Sequence, residues 1–382
     1  MASHLIARTL IGLLVLSGIL GCGDHRDRTD PDRDVILVVI DTLRADFVGV
    51  SGQAPHDATP NLDRLARRGR WCTNAWSNAP WTPPSIMSIM TSLEPPVHGL
   101  ELAGDELAET IPGTPDNATF LASLLRNEGY RTVAVTAGGG VGRRYGFDRG
   151  FDEWYEPDHP PKTDVEDGVN RAIQHLRQPD QQPLFLFFHT YEVHLPNTHP
   201  PFPSDPDDAS MARAAYAGDL AVADRHLGRL IDELEASGRL GRTLLVITSD
   251  HGENLHDRDL GSRPVDHGHH LYAELLRVPL LVVAPGLIPA TDAFDPPVQS
   301  LDILPTIASL LGVAVDETTI QGRDLRPHLQ EWRPPPPPPR LFAWAPLQGP
   351  TWSAIRTERW THITAPPVQT DQWWGQVQVP PM

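Results

Sequence analysis

The chain has 382 residues, 40% of them hydrophobic, which is ample for a core beyond the usual single-domain size. Its 31 basic residues against 49 acidic ones leave a formal charge of −18, the wrong sign for nucleic acid, whose phosphates need cationic neutralisation. An anionic small substrate stays open, because one local arginine or metal ion outweighs a distant net charge.

At the start, His4 and Arg8 precede the apolar run Leu10 to Leu20, too short to span a bilayer and proportioned like a secretory signal. Ile19-Leu20-Gly21-Cys22 resembles a bacterial lipobox. It predicts a lipoprotein-type signal over residues 1–22, with cleavage before Cys22, lipidation of Cys22 as the first mature residue, and membrane attachment of an exported protein on the periplasmic or outer-surface side of a bacterial envelope. With Cys22 acylated, Cys72 has no partner for an intrachain disulfide, and cysteines alone cannot build a zinc site. Residues 23–34 are charged and unpatterned, a flexible tether.

Val35 to Ile40 reads as a buried strand that ends at Asp41. Thr59 to Gly69 carries helix punctuation, with Thr59 as N-cap, Pro60 in the first turn and Gly69 as the stop. Trp81-Thr82-Pro83-Pro84-Ser85 offers hydroxyls at a helix start. An amphipathic helix, Ala118 to Glu128, leads through Gly129 to a strand at Thr132 to Thr136, and Leu184 to Phe188 is another strand. Residues 209–237 form a long helix stopped by Gly238, then come strands at Thr243 to Thr248 and Val278 to Val283. Strands alternating with helices in this way predict an α/β fold with a mostly parallel central sheet covered by helices on both faces. Later, Asp302 to Leu311 reads as a helix ended by Gly312, and Pro334 to Pro339 as a stiff polyproline spacer. The expected division is a catalytic domain over 35–285 and a smaller C-terminal subdomain over 286–382.

Asp41 and Asp250-His251 both follow apolar strands, and in open α/β sheets chemistry gathers outside the carboxyl ends of the strands. Two carboxylates, an imidazole and the Thr82 hydroxyl make a divalent-cation site in outline. A single aspartate at a strand end is more often a turn or cap residue; the ordered set carries the reading.

That set extends into a family likeness. Val38-Val39-Ile40-Asp41-Thr42-Leu43-Arg44-Ala45-Asp46, Thr59-Pro60-Asn61-Leu62-Asp63-Arg64-Leu65-Ala66 and Trp81-Thr82-Pro83-Pro84-Ser85 resemble the sulfatase family of the alkaline-phosphatase-like superfamily. So do Gly146-Phe147-Asp148-Arg149-Gly150-Phe151-Asp152, Ser249-Asp250-His251-Gly252-Glu253, and Leu271-Tyr272-Ala273-Glu274-Leu275-Leu276-Arg277-Val278-Pro279-Leu280. The resemblance implies an alkaline-phosphatase-like fold and metal-dependent cleavage of a sulfate or phosphate ester. It places Asp41, Asp250 and His251 at metal-ligand positions, with Thr82 both nucleophile and ligand. It implies one divalent ion, calcium by family habit; an oxygen-plus-imidazole set also suits zinc or manganese. His194 and His267 or His269 fall where the family places groups against the ester oxygens, as acids or anion binders. The implied substrate is a small-molecule, glycan-linked or lipid-linked anionic ester.

The departures are as informative. Sulfatases carry Cys or Ser at the nucleophile position, oxidised to formylglycine, with Arg four residues on. Here the position is Thr82, whose secondary carbinol would oxidise to a ketone and not an aldehyde, and Ile86 replaces the arginine. Thr42 stands where a second aspartate is expected. These changes leave two rivals in view: a catalytically silent binding protein, and a transferase of phosphorus-containing groups acting on an envelope component.

Overall fold

The computed structural model describes residues 29–54, 57–100, 117–157, 165–179, 181–197, 199, 208–258, 265–290, 293–331, 341–345, 352–357 and 360–364. The expected signal sequence with Cys22, most of the tether and the proline run lie outside the described residues. In chain order the strands are β1 (Asp34–Ile40), β2 (Arg70–Trp76), β3 (Arg131–Val135), β4 (Glu153–Tyr155), β5 (Leu184–Thr190), β6 (Thr243–Thr248), β7 (Asn254–Leu255), β8 (Val265–Asp266), β9 (Arg277–Val283), β10 (Val298–Gln299), β11 (Leu341–Ala345), β12 (Trp352–Arg356) and β13 (Thr361–Thr364). The α-helices are α1 (Pro60–Ala66), α2 (Thr82–Thr91), α3 (Pro95–His98), α4 (Leu121–Asn127), α5 (Val165–Leu176), α6 (Ala209–Ala236), α7 (Ala273–Leu276), α8 (Ile303–Leu311) and α9 (Arg326–Glu331).

The central sheet has the order β10-β2-β9-β6-β1-β5-β3-β4. Its neighbours pair in parallel except at β9, which runs against both β2 and β6. β1 is buried at every position, as a strand covered on both faces must be. Val35, Leu37 and Val39 face a core shared with α2, α4 and α8, while Ile36, Val38 and Ile40 face one shared with α1, α5 and α6. Alternating side chains thus divide the helices between two layers. A one-residue slip of β1 would exchange both sets and strand Asp41 on the wrong face.

Two expectations change in detail. α1 ends at Ala66, short of Gly69, and the Thr59 hydroxyl makes no cap bond to it. Thr59 Oγ1 instead accepts the Gly49 N–H at 2.8 Å. Asp224 of α6 caps α1 from across the layer, accepting the Asn61 and Leu62 N–H groups at 3.0 and 2.9 Å. Beyond residue 286, β10 pairs with β2 and α8 packs in the same core as Val35. Outside the central sheet, among the described residues, lie the antiparallel pair β7-β8 and the antiparallel trio β11-β12-β13, the trio docking through Leu341, Ala343 and Ala354 on Trp76, Leu271 and Leu276.

Candidate active site

The site forms where β1, β5 and β6 end side by side. Asp41 follows β1, and its N–H donates to the Thr190 carbonyl of β5 at 3.0 Å. Asp250 and His251 follow β6, which pairs directly with β1. Asp250 Oδ1 accepts the Thr42 N–H at 3.2 Å and the His251 N–H at 2.9 Å, tying the two strand ends together. Thr82 arrives at the first position of α2, which the Ser85 hydroxyl anchors by donating to the Asp250 carbonyl at 2.5 Å. Pro83 and Pro84 have no N–H, so the positive end of α2 offers an anion fewer donors than an ordinary helix start.

Ligand atoms of Asp41, Asp250 and His251 lie within 4.8 Å of one another, all buried. Thr82 Oγ1 is 3.1 Å from Asp41 Oδ2 and 3.3 Å from His251 Nε2. His251 Nδ1 donates to the Gly252 carbonyl at 2.8 Å, which leaves Nε2 as the free lone pair. Burial, then the nearby His267 charge, holds that imidazole well below its ordinary range. Burial, then the Asp250 charge, pushes the Asp41 carboxyl well above its own. Asp41 Oδ1 and Asp250 Oδ2 are buried without a hydrogen-bond partner. Two carboxylates enclosed together with unpartnered oxygens, beside a neutral imidazole and a hydroxyl, are what a divalent cation requires. The residues therefore fit one. A second cluster contrasts with it: His199 Nδ1 sits 3.1 Å from both Glu192 and Asp219, so an imidazole already stands between those carboxylates.

The remaining histidines divide. His267 packs on His251 at 4.5 Å between ring centroids and on His194 at 4.9 Å, so these three imidazoles form a row beside Thr82. Burial opposes protonation of His267, yet the Glu253 charge and its hydrogen bond at 3.2 Å, with Asp41 and Asp266 behind them, push it up to about 9. His269 is half-buried and pairs with Asp266 at 3.0 Å. His189 Nε2 is 3.3 Å from Asp41 Oδ2, and burial pushes it down to about 4. Arg44 does not face the cluster; its guanidinium pairs with Asp46 at 2.8 Å and with Asp257 at 2.5 Å. Trp76 packs under the C-terminal strands, with the Arg356 guanidinium 3.3 Å above its ring. Ile86 is fully buried in the core with α4 and α8. Thr42 adopts a left-handed φ of 58°, unusual for a β-branched residue, and its buried hydroxyl has no hydrogen-bond partner.

Sequence reasoning gave no role to Glu253, Tyr191 or Gly140. Glu253 was visible in Asp250-His251-Gly252-Glu253; the other two carried no signal beyond their neighbours.

A sequence model of the sulfatase family, described as Sulfatase, matches residues 33–313. The chain belongs to the sulfatase family. As a member it is an ester hydrolase of the sulfuric and phosphoric class, from a family that works with a divalent metal. It is similar to an ulvan-active sulfatase of Formosa agariphila, 25% identical over 92% of this chain and 78% of that protein. Among solved structures it resembles the phosphonate monoester hydrolase of Agrobacterium radiobacter, with TM-score 0.71, 19% identity and 87% of each chain covered. A carrageenan-oligosaccharide complex, the structure of Ps i-CgsB with k-i-k-neocarrahexaose, matches at TM-score 0.70 and 23% identity over 88% of this chain and 84% of that one. The alkaline-phosphatase-like α/β fold of this sulfatase is thus shared across sulfate and phosphonate chemistry.

Proposed function

We propose that this sulfatase-family enzyme cleaves sulfate or phosphate esters by direct attack of Thr82 Oγ1, with Asp41, Asp250, His251 and Thr82 holding one divalent cation. The observation that carries the reading is the Thr82 hydroxyl within 3.1 Å of Asp41 and 3.3 Å of His251, where Asp41 Oδ1 and Asp250 Oδ2 are buried without a hydrogen-bond partner. A bound divalent ion supplies charge that favours an ionised hydroxyl and polarises a non-bridging ester oxygen. Thr82 Oγ1 forms the new bond to sulfur or phosphorus while the bond to the departing ester oxygen breaks. The hydroxyl proton has Asp41 Oδ2 and His251 Nε2 within reach. His267, held protonated by Glu253 and stacked on His194, donates a proton to the departing oxygen. Water then attacks the transferred group and frees Thr82. His269 takes a lesser part, in orienting the anion from its Asp266 pair.

Threonine favours phosphorus over sulfur. No aldehyde hydrate can form at its side chain, so the covalent adduct must be cleared by attack on the transferred group itself. Phosphate and phosphonate esters are the preferred substrate class, and calcium, zinc and manganese all suit the oxygen and imidazole donors. The exported, lipid-anchored placement inferred from Cys22 sets this site near an envelope surface, facing small-molecule, glycan-linked or lipid-linked esters.

The test is turnover of para-nitrophenyl sulfate, phosphate and phosphonate esters with added Ca²⁺, Zn²⁺ or Mn²⁺. Thr82→Ala is expected to abolish turnover with an unchanged circular dichroism spectrum. Unchanged activity in that variant transfers the attack to water. The buried Ile86, in place of the family's arginine, favours a second reading, a silent binding protein. Absence of turnover with every ion, joined to unaltered cation affinity in Asp250→Ala, would establish it.

A further inference from the structure

Thr82 is gripped on its carbon side as well as on its oxygen side. Tyr191, one residue past β5, accepts the Gly140 N–H on its phenol oxygen at 2.8 Å. Its ring stands edge-on to His189 at 4.7 Å and to His194 at 5.3 Å, which fixes where the hydroxyl end can lie. Gly140 in turn faces Thr82 across a space that only a glycine leaves open. A Cβ placed on Gly140 would fall 2.9 Å from Tyr191 Oη, 3.2 Å from Thr82 Cβ and 3.3 Å from Thr82 Cγ2. The space a Gly140 side chain would need is thus bounded by the phenol oxygen and the threonine methyl, whereas Oγ1 of the same residue meets Asp41 and His251 and shares a hydrogen bond with Tyr191.

A threonine Cβ bears two unlike substituents, and the staggered rotamers tie their directions together. Once the methyl is seated against Gly140, the oxygen is committed to the carboxylates and His251. A serine would place only hydrogen there and could swing its hydroxyl out of line.

We infer that Gly140 and Tyr191 form a positioning slot for Thr82, the glycine against its methyl group and the phenol against its hydroxyl, which fixes the rotamer of the nucleophile and makes threonine, not serine, the residue this site requires. The inference rests on Thr82 as the nucleophile. Both slot residues act through Thr82, so they are positioning residues.

The test follows formation of the covalent Thr82 adduct by rapid acid quench and peptide mass spectrometry, with para-nitrophenyl phosphate as probe, beside kcat and KM. Thr82→Ser is expected to lower adduct formation and kcat about 10- to 100-fold while KM stays within about twofold, the signature of lost orientation. Gly140→Ala lowers both because its methyl intrudes on Tyr191 and on Thr82 Cγ2. The double variant Thr82→Ser/Gly140→Ala is expected to exceed the product of the single effects by about threefold or more, since the alanine methyl refills the vacated slot. A Thr82→Ser enzyme as fast as wild type, or a double variant at or below the product, overturns the slot. Adduct formation in Thr82→Ala strikes the nucleophile reading instead, so the two failures are told apart. A readout free of turnover is NMR of the methyl-labelled protein. Three-bond couplings of Thr82 are expected to report one χ1 in wild type and averaging in Tyr191→Phe; averaging in wild type would equally remove the inference.

Discussion

Replacing Glu253 with glutamine tests the charge that organises the imidazole row. In the metal-free protein His267 is pushed up to about 9 from an ordinary 6.5, and Glu253 supplies the two largest upward contributions, its charge and its hydrogen bond. That rise, from 6.5 to about 9, corresponds to about 3.5 kcal/mol, at about 1.4 kcal/mol per pH unit. Glutamine keeps the shape and the acceptor but removes the charge. Burial, the main opposing cause, is then expected to bring the imidazole to about 6.5 or lower. NMR titration of the His267 ring in protein stripped with EDTA reads this directly. Stability carries the same mark. Because the folded-state value is raised, His267 contributes in full below about pH 6.5, and that contribution disappears as pH rises through about 9. Denaturant midpoints of the metal-free wild type should fall over this window, and those of Glu253→Gln should not. In the loaded enzyme the substitution moves the alkaline limb of the rate profile to lower pH. A His267 titration left in place by Glu253→Gln would refute the reasoning.

Two further outcomes follow from the geometry and a third from the sequence. Asp250→Asn preserves the Oδ1 acceptor for Thr42 and His251 but removes one of two crowded buried charges, so the metal-free variant melts higher than wild type. It also loses the cation-induced rise in melting temperature, worth about 2.7 kcal/mol at a hundredfold excess over Kd; a retained rise places the ion elsewhere. Asp224→Ala removes the remote cap of α1 and costs about 1 to 2 kcal/mol in denaturant unfolding with kcat unchanged; full stability would assign the capping to another group. Cys22→Ala abolishes palmitate labelling and releases the protein from membranes; persistent labelling would move the anchor.

The framework of the fold was legible because its central strands are extreme in composition. Val35 to Ile40, Leu184 to Phe188 and Thr243 to Thr248 are continuous apolar runs, and no other element suits them. β2 was not legible. Its polar Thr73 and Asn74 interrupt the pattern, and the structure resolves this with a register shift between Cys72 and Ala75. The antiparallel sense of β9 and the pairing of the two-residue β10 depend on contacts far along the chain, which local pattern does not encode. In the site, the charged and coordinating residues declared themselves through strand-end position and family order. Tyr191 and Gly140 work by shape against Thr82, and shape is invisible until the chain has closed around it.

Asp41 and Asp250 belong to strands that lie side by side in the sheet, although the Thr42 to Asp250 bond between them spans 208 positions of chain. A divalent ion held by both carboxylates would therefore find its ligands together only after β6 has docked on β1. The first ions such a site would meet are those of the compartment where that docking occurs.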